Sequence, residues 1–255
     1  MIRIAVMGLG EAGSLYARGL AAVGAEVTGF DPHVDVTASG IAQRPRLEDC
    51  LDGAELVLSL VGARASIEAA RDAVARMRPG TLLADLNTSA PETKLEVARI
   101  ARESGVRIAD VAVLAPVPRA GHRTPLLASG DAARDFADRM RPLGVPVEIV
   151  SGGIGDAARR KLLRAVYMKG VAAVVIEALE AARPHGAEEW LRAQIADELG
   201  PDGRQILERM LAGTYRHAER REHEMRDAVA LLELSGSPAD MTRATRASLQ
   251  RILEG

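Results

Sequence analysis

Three lysines stand out in a chain whose other basic side chains are all arginines. The 33 basic residues include only Lys94, Lys161 and Lys169 as lysines. Arginine stays charged at any working pH, whereas the pKa of a partly buried lysine can fall far enough for its amine to exchange a proton. Lys161 and Lys169 belong to one predicted helix, about 12 Å and roughly 80° apart. Both are candidates for proton transfer or anion binding, unless composition bias alone retained them.

A glycine motif is the strongest pattern in the sequence. It follows the predicted strand Ile2–Met7, opens a predicted helix, and reads Gly8-Leu9-Gly10-Glu11-Ala12-Gly13. The first glycine permits a tight turn, the second lets the backbone approach a pyrophosphate, and the third lets helix and strand pack closely. The N–H groups and positive dipole of the helix N-terminus favour phosphate. The motif predicts a dinucleotide site, against the alternative of a glycine-rich turn without a ligand.

Two further positions belong to this predicted cofactor site. Asp31 follows the predicted strand Glu26–Phe30, where a carboxylate can accept hydrogen bonds from ribose hydroxyls. Val61 follows the predicted strand Leu56–Leu60. Because a carboxylate repels a 2′-phosphate, and because no arginine follows Asp31 at once, we expect NAD(H) in preference to NADP(H).

Charge and composition argue against several classes of function. The net charge of −2 gives no electrostatic footprint for nucleic acid or an anionic membrane. The single cysteine, Cys50, rules out an internal disulfide framework, and no cysteine–histidine cluster has zinc spacing, so we expect no metal. The N-terminus reads as a strand and not as a signal peptide. We therefore expect a cytoplasmic protein without nucleic-acid or membrane partners.

The predicted elements divide the chain into two domains. Residues 1–153 alternate short β-branched runs with amphipathic stretches, which predicts a Rossmann-type, doubly wound parallel sheet. Residues 154–255 contain no convincing strand and predict an all-helical domain for substrate binding and dimerisation. Ser89 and Glu92 predict a capping box for the helix Glu92–Glu103. The predicted strands are Ile2–Met7, Glu26–Phe30, Leu56–Leu60, Thr81–Leu86, Arg107–Val113, Leu126–Ala128 and Val147–Val150.

Three further segments carry recognisable motifs. They are Asp85–Pro91 (DLNTSAP), Asp110–Pro116 (DVAVLAP) and Gly155–Lys161 (GDAARRK). The first resembles the motif Asp-x-Ser-Thr-x-x-Pro of the β-hydroxyacid dehydrogenases, the group that includes 3-hydroxyisobutyrate dehydrogenase and is related to 6-phosphogluconate dehydrogenase. The second aligns with that family's substrate segment, and the third has its spacing from a glycine to the catalytic lysine. The resemblance implies that Asn87 and Thr88 lie beside the nicotinamide, with Thr88 also reaching the substrate.

The resemblance also implies a task for Lys161. Oxidation of an alcohol needs a base for the hydroxyl proton as hydride leaves for the nicotinamide, and reduction needs the same group as an acid. The implied reaction joins a nicotinamide and a small hydroxy acid or related carbonyl compound. An imine reductase on the same scaffold, decarboxylation after oxidation, and a non-catalytic dinucleotide sensor remain alternatives. Helical C-terminal domains of this kind generally pair, so we expect a homodimer.

The substrate side departs from the family pattern. Where the family has Ser-Gly-Gly to hold a carboxylate, this chain has Leu114-Ala115-Pro116, and where the family has two asparagines it has Arg164-Ala165. Leu114, Ala115, Pro116 and Arg164 are predicted substrate contacts, but the substrate itself does not carry over. The segments DLNTSAP, APVPRAG and TPLLASG are more similar to a branch of oxidoreductases with a distinctive helical C-terminal domain.

Basic residues outside the aligned segments suggest an anionic substrate. Arg119 and His122, in the loop Pro116–Pro125, supply anion contacts in one interpretation and belong to an ordinary solvated loop in the other. Lys169 either binds a distal carboxylate or phosphate, or forms an ion pair with Glu177 or a neighbouring helix.

Overall fold

A single sheet forms the centre of the first part of the chain. The computed structural model describes residues 1–36 and 40–254, and within them the sheet has eight strands in the order β3-β2-β1-β4-β5-β6-β7-β8. Strands β1 to β6 run parallel, β7 is antiparallel to β6, and β8 is parallel to β7. The strands are β1 (Arg3–Met7), β2 (Glu26–Phe30), β3 (Ala42–Gln43), β4 (Leu56–Ser59), β5 (Leu82–Asp85), β6 (Arg107–Val113), β7 (Leu126–Ser129) and β8 (Val147–Ile149).

Helices cover both faces of this sheet. Alternate residues of β1 enter two separate cores, Ile4 and Val6 in one and Ala5 and Met7 in the other, because successive side chains of a strand point to opposite faces. The first core also contains residues of α1 and α5, and the second contains residues of α2, α3 and α4. The helices are α1 (Glu11–Ala22), α2 (Leu47–Leu51), α3 (Ser66–Val74), α4 (Pro91–Glu103) and α5 (Ala133–Met140). The predicted Rossmann-type fold is confirmed, with its last two strands reversed.

The chain divides into two compact units, Met1–Lys161 and Leu162–Gly255. The described residues of the second unit are helical or lie in turns. The helix α6 (Asp156–Ala182) begins in the first unit and is followed by α7 (Glu188–Glu198), α8 (Gly203–Arg216), α9 (Ala218–Leu234) and α10 (Asp240–Glu254). The all-helical C-terminal domain is therefore confirmed, whereas the predicted boundary after residue 153 stays a prediction. Among the helices of the described ranges, none is long and apolar enough to cross a membrane.

The start of α4 differs from the prediction. Pro91 lies in the first turn, where its missing N–H does no harm, but the residue at the helix N-cap is Ala90, which makes no side-chain capping bond. Ser89 therefore lies one residue too early to cap the helix, and its buried hydroxyl has no hydrogen-bond partner among the described residues. The predicted capping box of Ser89 and Glu92 is wrong.

The single cysteine provides a test of the packing around β2. Cys50 is fully buried in α2, and burial raises the pKa of its thiol to about 11. Only the thiolate is nucleophilic, so both access and ionisation oppose reaction at pH 8. We expect the native chain to resist a disulfide reagent such as dithionitrobenzoate, and the unfolded chain to release one equivalent of chromophore. Rapid stoichiometric reaction of the native chain would contradict this packing.

Candidate functional site

The glycine motif forms the turn between β1 and α1. Gly8 has φ of +87°, and a Cβ there would lie 2.5 Å from the carbonyl oxygen of Leu60 and 2.9 Å from the amide nitrogen of Val61. A Cβ on Gly13 would collide with the carbonyl oxygen of Gly8. Around Gly10, by contrast, no described atom lies within 4 Å of such a Cβ. The loop is closed against the protein at its first and third glycines and open at the second, as a pyrophosphate requires.

This difference predicts opposite effects for two alanine substitutions. Gly13→Ala should destabilise the fold by more than about 2 kcal/mol, because its methyl group meets backbone that cannot move aside. Gly10→Ala should leave the melting temperature nearly unchanged, yet weaken dinucleotide binding. Thermal unfolding and a titration of NADH fluorescence separate the two effects. A Gly10→Ala variant that binds NADH as tightly as the parent would argue against approach of a pyrophosphate to this loop.

Asp31 is held beside the glycine loop. Its Oδ2 accepts a hydrogen bond of 2.7 Å from the amide of Leu9, and its Oδ1 accepts bonds of 2.8 and 3.1 Å from the amides of His33 and Val34. A carboxylate has about four acceptor positions, so three backbone bonds fix its orientation and leave one for a ligand. The geometry suits a hydrogen bond from a ribose hydroxyl. Residues 37–39, which follow on the same connection, lie outside the described residues.

Hydrogen bonds of the Asn87 side chain link the ends of β4 and β5. Its side chain is buried, donates to Ser59 Oγ at 3.0 Å and to Asp85 Oδ1 at 2.7 Å, and accepts from the amide of Gly62 at 2.8 Å. Val61 is partly buried against the second core, and its amide nitrogen lies close to Gly8 of the glycine loop. The amide of Asn87 thus holds the loop after β4 in place. Its predicted contact with the cofactor, like that of Val61, stays a prediction.

Lys161 and Thr88 meet directly. Thr88 is exposed just beyond the end of β5, and its Oγ1 accepts a hydrogen bond of 2.8 Å from Lys161 Nζ. Lys161 lies in the second turn of α6, and both residues belong to the first unit. The structure therefore brings together two residues that the family resemblance assigned to the reacting end of the cofactor. A lysine amine beside a hydroxyl is an arrangement that can pass a proton.

Lys94 is a third candidate lysine, for which the sequence predicted no role. Its side chain is only 1% exposed, and Nζ donates to the carbonyl oxygen of Asp85 at 2.7 Å. The same ammonium lies 3.2 Å from Asp85 Oδ2 and 3.5 Å from Asp110 Oδ1, and both carboxylates are buried. A charged group in an apolar interior is stable only when it is paired, so these three residues form one electrostatic unit.

The predicted substrate segment leads from β6 into a loop on α1. Leu114 and Ala115 are half-buried, whereas Pro116 and Arg119 are exposed. The amide of Leu114 donates a hydrogen bond of 3.0 Å to the carbonyl oxygen of Pro125, which closes the loop before β7. The contacts predicted for these four residues with a substrate stay predictions.

His122 has a packing role that the sequence did not indicate. It is 9% exposed, and its ring occupies the space beside Gly19 in the third turn of α1, where a Cβ would collide with Nδ1. Burial, and to a smaller extent the charge of Arg123, lowers the pKa of His122, so the ring is neutral at neutral pH. This burial contradicts the interpretation of the ring as part of an ordinary solvated loop. Its predicted contact with substrate stays a prediction.

Two predicted substrate residues belong to the second unit. Arg164 is exposed on α6. Lys169 Nζ lies 2.7 Å from Glu224 Oε2 of α9, and both side chains are largely buried. The ion pair with a neighbouring helix, one of the two interpretations of Lys169, is thus present. Among the described residues, no cluster of three or more histidine, cysteine or acidic side chains could hold a metal.

Two family models match the chain. One, the NAD binding domain of 6-phosphogluconate dehydrogenase, matches residues 3–143, and the other, a domain of unknown function (DUF1932), matches residues 182–252. Among curated proteins, the 3-hydroxyisobutyrate dehydrogenase of Pseudomonas aeruginosa is 32% identical over 151 residues, which are 56% of this chain and 50% of that enzyme. The match thus spans about half the length of this curated relative.

Solved structures extend the similarity over almost the whole chain. A conserved hypothetical protein from Sinorhizobium meliloti 1021 is 30% identical with a TM-score of 0.76, covering 98% of this chain and 88% of that one. The 3-hydroxyisobutyrate dehydrogenase of Mycobacterium tuberculosis has a TM-score of 0.82 at 19% identity, covering 98% and 93%, and shows the shared fold alone. Because the first family model covers more than half of the sequence, this chain belongs to the family that carries the NAD binding domain of 6-phosphogluconate dehydrogenase.

Proposed function

We propose that this chain is an NAD(P)-dependent oxidoreductase that transfers hydride between a nicotinamide and a small hydroxy acid or related carbonyl compound. The observation that carries the proposal is the 2.8 Å hydrogen bond between Lys161 Nζ and Thr88 Oγ1, in a chain with an NAD binding domain. The resemblance of the segments Asp85–Pro91 and Gly155–Lys161 to the β-hydroxyacid dehydrogenases supports the same roles.

The residues around the glycine loop fit a dinucleotide. The open space at Gly10 and the N-terminus of α1 suit a pyrophosphate, and Asp31 has one acceptor position left for a ribose hydroxyl. When bound, the nicotinamide supplies or accepts the hydride. The fixed carboxylate of Asp31 repels a 2′-phosphate, which supports NAD(H) over NADP(H). Measuring KM for both cofactors tests this preference, and a strong preference for NADPH would overturn it.

Lys161 is the proposed general acid and base. In the oxidative direction its uncharged amine takes the hydroxyl proton while the substrate carbon loses hydride, and in the reductive direction its ammonium returns that proton to the carbonyl oxygen. Thr88 accepts a hydrogen bond from the amine and so holds Nζ beside this exposed residue, beyond the end of β5. The substrate is proposed to be anionic, with Arg119 and Arg164 as predicted contacts.

A screen for hydride transfer tests the proposal. The purified chain is incubated with NAD⁺ or NADP⁺ and a panel of small 2- and 3-hydroxy acids, and with NADH or NADPH and the matching keto acids and semialdehydes, while the absorbance of reduced nicotinamide is followed. We expect turnover with a subset of the acids. Tight NADH binding without turnover across the panel would favour a sensor. Turnover confined to cyclic imines would favour an imine reductase, a class that commonly replaces the lysine retained here as Lys161.

We further infer that the second unit pairs with a second copy of the chain. Apolar side chains of α6 are exposed in this unit, with Tyr167 at 69% and Val174 at 56%. They line a surface groove of about 340 Å³ together with Val166, Gly170, Val171 and Val175. Burial of such a face in a homodimer would remove apolar area from water. Light scattering tests the oligomeric state, and a monodisperse monomer would refute the proposed homodimer.

A further inference from the structure

Buried polar side chains form a row across the sheet. Strand register aligns Ser59 of β4 with Asp85 of β5, Asp85 with Asp110 of β6, and Asp110 with Ser129 of β7. All four side chains are buried, and Lys94 of α4 joins the two carboxylates at its centre. Buried polar groups are costly unless they are paired, so the row holds four strands and one helix in a defined arrangement.

One end of the row fixes the start of α6. Asp110 Oδ2 accepts hydrogen bonds from the amides of Gly155 at 3.0 Å and Ala158 at 3.2 Å. Ser129 Oγ accepts one from the amide of Ala157 at 3.0 Å and lies 3.1 Å from Asp110 Oδ2. Such amides have no partner within the helix itself. Lys161 follows Ala158 by three residues, about 4.5 Å along the axis, so its backbone is set by these bonds.

The other end fixes the segment that carries Thr88. Asp85 Oδ1 accepts hydrogen bonds from both the backbone amide and the side-chain amide of Asn87, at 3.0 and 2.7 Å. Lys94 Nζ donates to the carbonyl oxygen of Asp85 at 2.7 Å. Asn87, the residue before Thr88, is thus tied to the same cluster that holds α6. Both partners of the Lys161–Thr88 hydrogen bond depend on one buried group of charges.

We propose that Asp110 and Ser129, linked through Lys94 to Asp85, are positioning residues that set the Lys161 Nζ–Thr88 Oγ1 contact. The inference rests on the proposed function for its chemical meaning, since the contact matters only if Lys161 transfers the proton. Neither positioning residue needs to touch the substrate. Their effect is on where the amine of Lys161 lies.

The chain has three lysines, which makes this contact directly observable. Full-length protein labelled with ¹³C,¹⁵N-lysine gives three Hε–Cε–Nζ correlations by NMR, and Lys161→Arg assigns the one from Lys161. Thr88→Val gives the resonance of Lys161 without its hydroxyl acceptor. We expect Ser129→Ala and Asp110→Asn to move the Lys161 resonance toward its Thr88→Val position. Arg99→Met, an exposed substitution on α4, should leave it at the wild-type position.

Kinetics add a second readout on a substrate found in the screen. Misplacement of a catalytic group by about 1 Å can lower a rate about a hundredfold. Ser129→Ala should therefore lower kcat about 10- to 100-fold while KM for the dinucleotide stays unchanged, because the glycine loop is untouched. General weakening of the fold would not lower kcat while leaving KM for the dinucleotide unchanged.

The outcomes separate this inference from the proposed function. A Lys161 resonance that stays at its wild-type position in folded Ser129→Ala would overturn the positioning role, and this milder variant decides the matter if Asp110→Asn fails to fold. If Lys161→Met keeps full turnover, the acid–base assignment fails, while the resonance shifts still report on positioning. If Lys161→Met is inactive but the resonance does not move, only the positioning inference fails.

Discussion

Replacing Lys161 with methionine is expected to lower kcat by about two to four orders of magnitude, the usual contribution of a positioned acid or base. Methionine keeps most of the length of the side chain but has no proton to exchange. The glycine loop and Asp31, which are predicted to hold the dinucleotide, do not depend on the Lys161 amine. Stopped-flow measurement of hydride transfer, together with a fluorescence titration of NADH, should therefore show lost chemistry with nearly intact cofactor binding.

The neighbouring residue provides the matched control for this substitution. Arg160 is exposed on the same turn of α6, so Arg160→Met removes a positive charge from the same region without reaching Thr88. Its kcat should stay close to that of the parent enzyme. Full retained activity in Lys161→Met would remove Lys161 from the mechanism. An equal loss in both variants would point to a general effect of charge on an anionic substrate.

Replacing Lys94 with methionine is expected to lower the free energy of unfolding by about 3–5 kcal/mol. The substitution leaves Asp85 and Asp110 buried without the ammonium that now lies 3.2 and 3.5 Å from them. Removing one partner of a buried ion pair costs more than the pair contributes, because the remaining charge is desolvated and uncompensated. Equilibrium unfolding in urea measures the effect.

Two variants test the cause of that loss. Adding Asp85→Asn to Lys94→Met removes one of the stranded carboxylates and should recover part of the stability. Arg99→Met on the same helix breaks exposed ion pairs with Glu96 and Glu103. It should lower the free energy of unfolding far less than Lys94→Met does, because water screens such pairs. If Lys94→Met lowers the free energy of unfolding no more than Arg99→Met does, the buried cluster does not stabilise the fold.

Hydrophobic pattern predicted most of the sheet and its parallel strands, but not the reversal of the last two, β7 and β8. The predicted bounds of β2 and β6 match those observed, whereas β3 has two residues and is too short to show a period. Strand direction depends on the connection. Between β6 and β7 the chain makes two short 3-10 turns and no α-helix, whereas a parallel neighbour is usually reached through a crossover helix. The lack of a helical pattern over residues 114–125 was the signal for the reversal.

The cofactor loop was predictable because its motif is continuous in sequence. The buried charge cluster was not predicted, although one signal was present. Lys94 shares the inward face of α4 with Val97, Ala98 and Ala101, and a lysine on an apolar face requires a buried partner. That its partners are Asp85 and Asp110 depends on the pairing of β5 with β6, which one sequence does not reveal. The burial of His122 depends in the same way on the space left by Gly19 in a distant helix.

The row of polar side chains also has a consequence for folding. Side chains alternate between the two faces of a strand, so a slip of β6 by one residue would exchange Asp110 for its neighbours Ala109 and Val111. Asp110 would then enter the first core among apolar side chains, and Lys94 would face a strand without its carboxylate. A sheet of interchangeable valines and leucines tolerates such errors better. The charges that hold Lys161 in place therefore also discriminate against a sheet in which β6 has slipped by one residue.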